Sequence, residues 1–590
     1  MIMGTERTTK AGARRRRAIG RKRGARGIAR RRSYPDLRDH LNALERAGLL
    51  VKVERRINKD TEMHPLVRWQ FRGGIAERDR RAFLFTNVTD SKGRDYDIPV
   101  AVGVLAASRE IYRIGMGCAL DQINETWTRA ISNPIPPRVV TKAPCHEIVI
   151  QGRDLDRPGM GLDGLPVPIS TPGWDNAPYV TLSQYISKDP DTGIQNMGIY
   201  RGQVKAPRRL GMNPSLELRP GIYTHWEKMK SRGRKLPAAV ILGAPPCVAF
   251  TSVQKLPEMM DELHVAGGLV GKPINVVRAK TVDLLVPAEA EIVIEGYIDT
   301  EYLEPEGPFG ESHGHVNLQE FNAFMDVSCI TRRRDAILTS IISQVTPSES
   351  SLIKRVALEP VFLHHLRSAL GIQGVRRVSM HEPLTNLRKL IVLVMDPKTP
   401  TTEIWRALYG AAAWNRAAGK YVLAVNEDID PDNADALFWA MCYRANPDLD
   451  LQILRHRDQG HGPRSKRNAG RDASVLIDAT LKEKFPPVSL PKQQYMERAK
   501  TIWEELGLPK LKPESPWFGY SLGEWSEEFE RAADLAVRGD YFETGKLIAK
   551  RRRKDVKMNT EVRDVDESNV EAGPKPKAGV NAKHKAGRKR

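Results

Sequence analysis

From residue 146 to about 345 the apolar residues arrive in short runs, each cut off by Gly or Pro. Glu147–Ile150, Tyr179–Ile186, Ile194–Val204, Ala238–Leu242, Ile274–Val277, Glu291–Ile298 and Ile337–Ile342 are such runs. None is long enough for a good helix, so this stretch reads as many short strands, a barrel or sandwich more than a doubly wound sheet. The rhythm differs on either side. Before it, Asp36–Leu50 places Leu37, Leu41 and Leu44 on one helical face, strand-like runs follow at Val51–Val53, Ala82–Phe85 and Val100–Val104, and Arg109–Ile131 reads as one helix. After it, helix Ser351–Leu370, strand Lys389–Met395, helix Thr401–Ala417, strand Tyr421–Val425 and helix Asn433–Arg444 alternate as in an α/β layer. A last amphipathic stretch, Trp525–Lys550, is expected to dock on the body or on a second subunit.

Charge marks where folding starts and stops. The chain of 590 residues has a formal net charge of +21. Residues 1–33 carry +12 and residues 550–590 carry +8, so 34–549 is left near neutrality. The excess sits in Arg-rich, Gly/Ala-rich or polar ends that read as disordered tails. A nucleic-acid-binding domain would instead carry its positive stripe on a folded face. No specific nucleic-acid partner is therefore expected, although a protein acting through its basic tails is the alternative of a different class. No run of 18 apolar residues exists, which argues against a membrane-spanning helix. The five cysteines are isolated, without a CxxC pair, as suits a reducing cytoplasm.

The chemistry-bearing segment is Glu304-Pro305-Glu306-Gly307-Pro308-Phe309-Gly310-Glu311-Ser312-His313-Gly314. Pro308 and two glycines forbid a helix between Glu306 and Glu311, so both carboxylates belong to a loop that can aim them at one point. Neighbouring carboxylates repel when both ionise, one apparent pKa rises, and the pair can exchange a proton near neutrality. The plain alternative is an acidic surface turn. A second segment, Asn196-Met197-Gly198-Ile199-Tyr200-Arg201, lies in a strand-like run, where a bulge at Gly198 would be needed to bring Asn196 and Arg201 to one face. A third, Asp261-Glu262-Leu263-His264, reads on its own as a solvated helix face. Neither G-x-G-x-x-G after a strand, nor a P-loop, nor a nucleophile elbow occurs.

These segments, with Val286-Pro287-Ala288-Glu289-Ala290-Glu291-Ile292-Val293-Ile294-Glu295-Gly296 between the third and the first, stand in an order that resembles the UbiD-type decarboxylases. The resemblance runs over about 34–505, from Tyr34-Pro35-Asp36-Leu37-Arg38 to Leu476-Ile477-Asp478-Ala479-Thr480. It implies an α/β (α+β multidomain) fold. The expected parts are a basic tail 1–33, an N-terminal α+β domain 34–145, a split β-barrel flavin-binding domain 146–345, a C-terminal α/β domain 346–505, a helical extension 506–555 and a second basic tail 556–590. It implies a reversible nonoxidative decarboxylase of an aromatic, heteroaromatic or α,β-unsaturated acid, using prenylated FMN in covalent-adduct chemistry. The carboxylating subunit of a degradative complex would use the same site. By the resemblance Glu311 is the proton donor, with Glu306 and Arg201 as its partners. Asn196 and Glu262 hold Mn2+ against the cofactor phosphate, with K+ a further candidate ion. Ile199, Tyr200, Arg201, Arg219 and Pro220 meet the flavin. Where many members have His-Arg-Gly-Gly this chain has Leu218-Arg219-Pro220-Gly221, so a third ligand is missing and Glu217 is the nearest substitute. Ser474 stands near where the family has a flavin-contacting lysine. The implied partners are a flavin prenyltransferase and further copies of the chain, as a dimer or hexamer.

Overall fold

The computed structural model describes residues 33–562 except 215–219, 255, 257–259, 384, 386, 416–417, 459, 461, 463–470, 484, 512–521, 524, 553–555 and 559. Both tails therefore lie largely outside the described residues, and Arg219 and Glu217 lie outside them entirely.

Asp36 caps the first helix, Leu37–Arg46, by accepting from the amides of Arg38 and Asp39, and the helix buries Leu37, Leu41 and Leu44. It packs near a four-stranded sheet ordered Leu50–Val53, Ala82–Phe85, Val100–Val102 and Leu338–Ser340. The last of these strands comes from far along the chain, so one core cluster runs from Tyr34 to Ile353. The stretch read as one helix over 109–131 is two, Arg109–Met116 and Ile123–Ser132. Gly117, at φ +69°, ends the first. A glycine in that conformation closes a helix at no steric cost, which hydrophobic periodicity does not reveal.

The Gly/Pro-punctuated region forms a ten-stranded sheet, and its organiser is the 13-residue strand Glu320–Arg332. That strand pairs along its length with Ile292–Ile298, Arg209–Met212, Glu304–Glu306 and Ile148–Gln151. Among the described residues the pairing does not complete a ring. Instead Gln195–Ile199 lies at one end of the sheet and Gly202–Ala206 near the other, and only Tyr200 and Arg201 join them. The sheet must therefore curl until its two ends meet at those two residues. Opposite them the partner strand has three residues, 181–183, between its own paired ends, so the register shifts there. Gly198 itself pairs regularly with Tyr185; the irregularity that re-aims Arg201 is not at the glycine.

Beyond residue 370 a five-stranded sheet has Leu390–Met395, Tyr421–Asn426 and Arg471–Asp478 parallel in the middle, flanked by antiparallel Val375–Met380 and Leu451–Asp458. Strand alternation divides its two cores. Ile391, Leu393 and Met395 pack under helix Thr401–Ala413, and Val392 and Val394 under helix Ala434–Arg444. Helix Glu349–His364 ties the two bodies together, with Leu352 and Ile353 in the first core and Leu358 and Phe362 in the other. The final amphipathic stretch is two helices, Glu527–Arg538 and Tyr541–Ala549, separated by Gly539 at φ +89°. No described residue beyond Thr480 is buried; within the chain the described part of this extension touches the segment before it, Glu530 pairing with Lys492. No described helix is long and apolar enough to cross a membrane.

Candidate active site

Arg201 sits at the seam of the curled sheet, its backbone bridged to Asn213. Its guanidinium grips Glu306 with two parallel bonds, Nε to Oε1 at 2.9 Å and Nη2 to Oε2 at 2.8 Å. The remaining nitrogen, Nη1, donates to Glu311 Oε1. The carboxylates are therefore not a directly coupled dyad, as spacing alone suggested. One cation stands between them and offsets their repulsion. Glu306 is fully buried at its side chain, and Asn213 and Asn322 each donate to its Oε2 at 3.4 Å, so the surface-turn alternative is excluded. Glu311 keeps 14% exposure and accepts from the Ser312 amide at 3.3 Å. The Phe309 ring lies 4.7 Å from the Arg201 guanidinium carbon and shields it from water. Glu304, in the same segment, faces elsewhere and pairs with Lys205 and Arg209.

The turn between the carboxylates is two short strands, Glu304–Glu306 and Phe309–Gly310, around Gly307-Pro308. Gly307 is at φ +99°, a conformation that needs glycine. Three tyrosines line the cluster, Tyr179 and Tyr185 buried and Tyr200 half-buried. Burial, with Glu306 nearby for the first two, pushes the Tyr179 and Tyr185 phenols up, and burial with Glu262 nearby does the same to Tyr200.

Asn196 and Glu262 meet at strand Gln195–Ile199, just before the seam. Glu262 is buried, not solvated: it opens helix Glu262–Val270, whose N-cap Asp261 accepts from the Leu263 amide. Its Oε1 accepts from Asn196 Nδ2 at 2.9 Å and its Oε2 from the Met197 amide at 2.7 Å. Among the described residues no cation pairs with it, and burial pushes its pKa up to about 8. A second helix, Gly221–Ser231, also begins here, directly after Pro220. A β-carbon on Gly221 would stand 2.5 Å from Asn196 Oδ1, so any other residue there would displace the asparagine side chain. Helix amides without side-chain caps and a buried carboxylate without a cation suit a phosphate and a divalent ion together. No cluster of three or more His, Cys, Asp or Glu able to hold a metal occurs among the described residues.

The structure thus brings Arg201, Glu306 and Glu311 into one cluster, and Asn196, Glu262 and the Pro220 helix start into another, with Ile199 and Tyr200 on the strand between. The Val286–Gly296 segment, by contrast, is structural. Glu289 accepts from Tyr34 and Asn275, Glu291 from Arg38, and Glu295 from the amides of Lys280 and Thr281. Asn213, Asn322, Asp175 and Asn176 enter the site from segments that carry no local motif.

Comparison with known proteins identifies the kind of scaffold that carries these two clusters. Residues 138–345 match the 3-octaprenyl-4-hydroxybenzoate carboxy-lyase Rift-related domain and 354–479 the C-terminal domain of the same enzyme group. The chain belongs to the UbiD family of carboxy-lyases. The UbiD-class enzyme HmfF from Pelotomaculum thermopropionicum in complex with FMN is 29% identical, with a TM-score of 0.69 over 79% of this chain and 100% of that one. An evolved dimeric form of HmfF in complex with prFMN gives 29%, 0.66, 77% and 97%. The closed form of Sedimentibacter hydroxybenzoicus vanillic acid decarboxylase, 23% identical with a TM-score of 0.67 over 80% of this chain and 100% of that one, shares the fold.

Proposed function

We propose that the chain is a nonoxidative decarboxylase of an aromatic, heteroaromatic or α,β-unsaturated carboxylic acid that works with prenylated FMN. The observation that carries the reading is the unequal grip of Arg201. Glu306, fully enclosed and held through both oxygens by a bidentate bond, cannot reach a substrate. Glu311 meets Arg201 through Oε1 alone, its Oε2 accepting from the Ser312 amide, and it keeps 14% exposure, so it is the carboxyl group of the pair with access to the site. Arg201 orients Glu311 and helps to place the substrate carboxylate. Phe309 and the three tyrosines keep the cluster dry, which strengthens each charge interaction.

Asn196 and Glu262 would hold Mn2+, with K+ a further ion, and the metal would neutralise the flavin phosphate at the start of helix Gly221–Ser231, directly after Pro220. Ile199 and Tyr200 would line the ring system. Bound there, the modified flavin supplies the electron sink that no side chain offers for the electrons left by departing CO2. Glu311 then delivers the proton that replaces CO2. Carboxylation would use the same residues in reverse. The chain would receive its cofactor from a flavin prenyltransferase and work as a homo-oligomer. Production with such a prenyltransferase, followed by a screen of acids in D2O, tests the reading: CO2 release with one deuterium at the vacated carbon is expected. A correctly loaded enzyme that releases CO2 from no unsaturated or aromatic acid would refute it.

A further inference from the structure

The turn that joins Glu306 to Glu311 is clasped from outside the charge cluster. The segment 171–176 crosses it, and two consecutive side chains of that segment reach the turn's two halves. Asp175 Oδ1 accepts from the Gly310 amide at 2.8 Å, while its Oδ2 accepts from the Thr171 amide at 2.7 Å. Asn176 Nδ2 donates to the Gly307 carbonyl at 2.7 Å, and its backbone amide donates to Pro308 O at 3.4 Å. Gln203 Nε2 in turn holds Asn176 Oδ1 at 2.7 Å. The approach is close enough that a β-carbon on Gly310 would collide with the Thr171 hydroxyl. Asp175 thus binds the residue immediately before Glu311, and Asn176 the residue immediately after Glu306.

The far side of the turn is pinned as well. The Val345 amide donates to Glu311 O at 3.1 Å, with Val345 held at φ +45°. That conformation is strained for a β-branched residue. Arg68 secures this segment by donating to the carbonyl of Gln344 and, at 2.6 Å, to its side-chain oxygen. With its backbone fixed on both sides, Glu311 has only side-chain torsions left, and Arg201 limits those.

We propose that Asp175, with Asn176, is a positioning element that sets the reach of Glu311 toward the reacting carbon. The inference rests on Glu311 being the proton donor. A purely structural clasp has no need of a charge here. Burial pushes the Asp175 carboxyl up to about 6, whereas a neutral acceptor would avoid that cost. What the carboxylate offers is two acceptor oxygens aimed at two different amides, which fixes Gly310 against Thr171 in both distance and direction. Asparagine would turn one of those acceptors into a donor facing an N–H.

The test uses the full-length enzyme produced with a flavin prenyltransferase and compares Asp175→Asn and Asn176→Ala, each alone and combined with Glu311→Gln. Each single variant should lose roughly 10–100-fold in kcat, as small misplacements of a catalytic group do, while KM and the flavin and Mn2+ contents stay as in the wild type. In the Glu311→Gln background, followed by single-turnover CO2 release with enzyme in excess, the same substitutions should cause no further loss, because there is no proton donor left to misplace. Either variant suffices if the other does not fold. Unchanged kcat, a loss carried by KM, or equal fold-losses in both backgrounds would overturn the positioning role. Wild-type turnover by Glu311→Gln alone would instead overturn the proton-donor reading on which it rests.

Discussion

The two clusters on the 195–206 segment differ in how their charges are met. In the Arg201 cluster a guanidinium satisfies two carboxylates, and every charge has a partner within the chain. In the Asn196 cluster a buried carboxylate has only neutral donors, an amide side chain and a backbone N–H. Burial without a cation is costly, and the group answers by holding its proton. The Arg201 end of the segment is thus electrostatically complete as folded, while on the proposed reading the Asn196 end is completed by a bound cation. A catalytic group and a cofactor anchor need these opposite conditions.

The largest effect expected from this contrast is all-or-none. Protein produced without a flavin prenyltransferase should bind ordinary FMN at most and release no CO2, whatever the state of the Arg201 cluster. Full activity with unmodified FMN would break the account.

Next in size is the response of the Asn196 cluster to pH and metal. If Glu262 holds Mn2+ as proposed, the metal displaces its proton, and the apparent affinity should rise roughly tenfold per pH unit up to about 8 and then level off. The folded-state pKa lies above the ordinary 4.5, so the stability this group contributes to the metal-free protein is fully present below about 4.5 and lost as pH rises through about 8. Thermal unfolding with and without Mn2+ across that window checks both signs. Glu262→Gln should abolish the pH dependence and most of the metal binding. A Glu262→Gln protein with unchanged Mn2+ affinity would remove Glu262 from the site.

For the complete cluster the sharpest comparison is Glu306→Gln. Loss of one partner from a buried ion pair should cost about 3 kcal/mol in denaturant unfolding, because Arg201 keeps Glu311 as its remaining anion. It should also shift the pH profile of turnover, since Glu311 is left as the only counter-ion. The smallest effect is expected at the ends. Deleting 1–33 and 556–590 should leave turnover and fold intact while polyanion binding at low salt falls.

Much of this arrangement was legible in the sequence. The strand-rich middle, the α/β layer after it, and the ordered segments around Asn196, Glu262 and Glu311 follow from periodicity, turn residues and family resemblance. The spacing of Glu306 and Glu311 could not reveal that Arg201 stands between them, because that contact spans 105 residues and depends on the sheet curling until its ends meet. For the same reason Asp175 and Asn176 gave no local signal: their partners lie 135 and 131 residues away. Gly117 and Gly539 broke stretches that read as single helices, because a glycine within a periodic pattern is compatible with either outcome until its φ is known. The Val286–Gly296 carboxylates show the converse. They helped to identify the family, and in the structure they hold Tyr34, Arg38, Asn275 and the amides of Lys280 and Thr281 in place.

The central claim is that the partly exposed carboxyl of the complete cluster, Glu311, delivers the proton. Its most direct test is turnover by Glu311→Gln loaded with the modified flavin and Mn2+. The substitution keeps the shape and hydrogen-bonding capacity of the side chain but removes its titratable proton. The account predicts wild-type flavin absorbance and metal content, because the Asn196 cluster is untouched, together with a rate at least roughly 10²–10⁴-fold lower, as for other lost general acids. Near-wild-type turnover by that variant would contradict it.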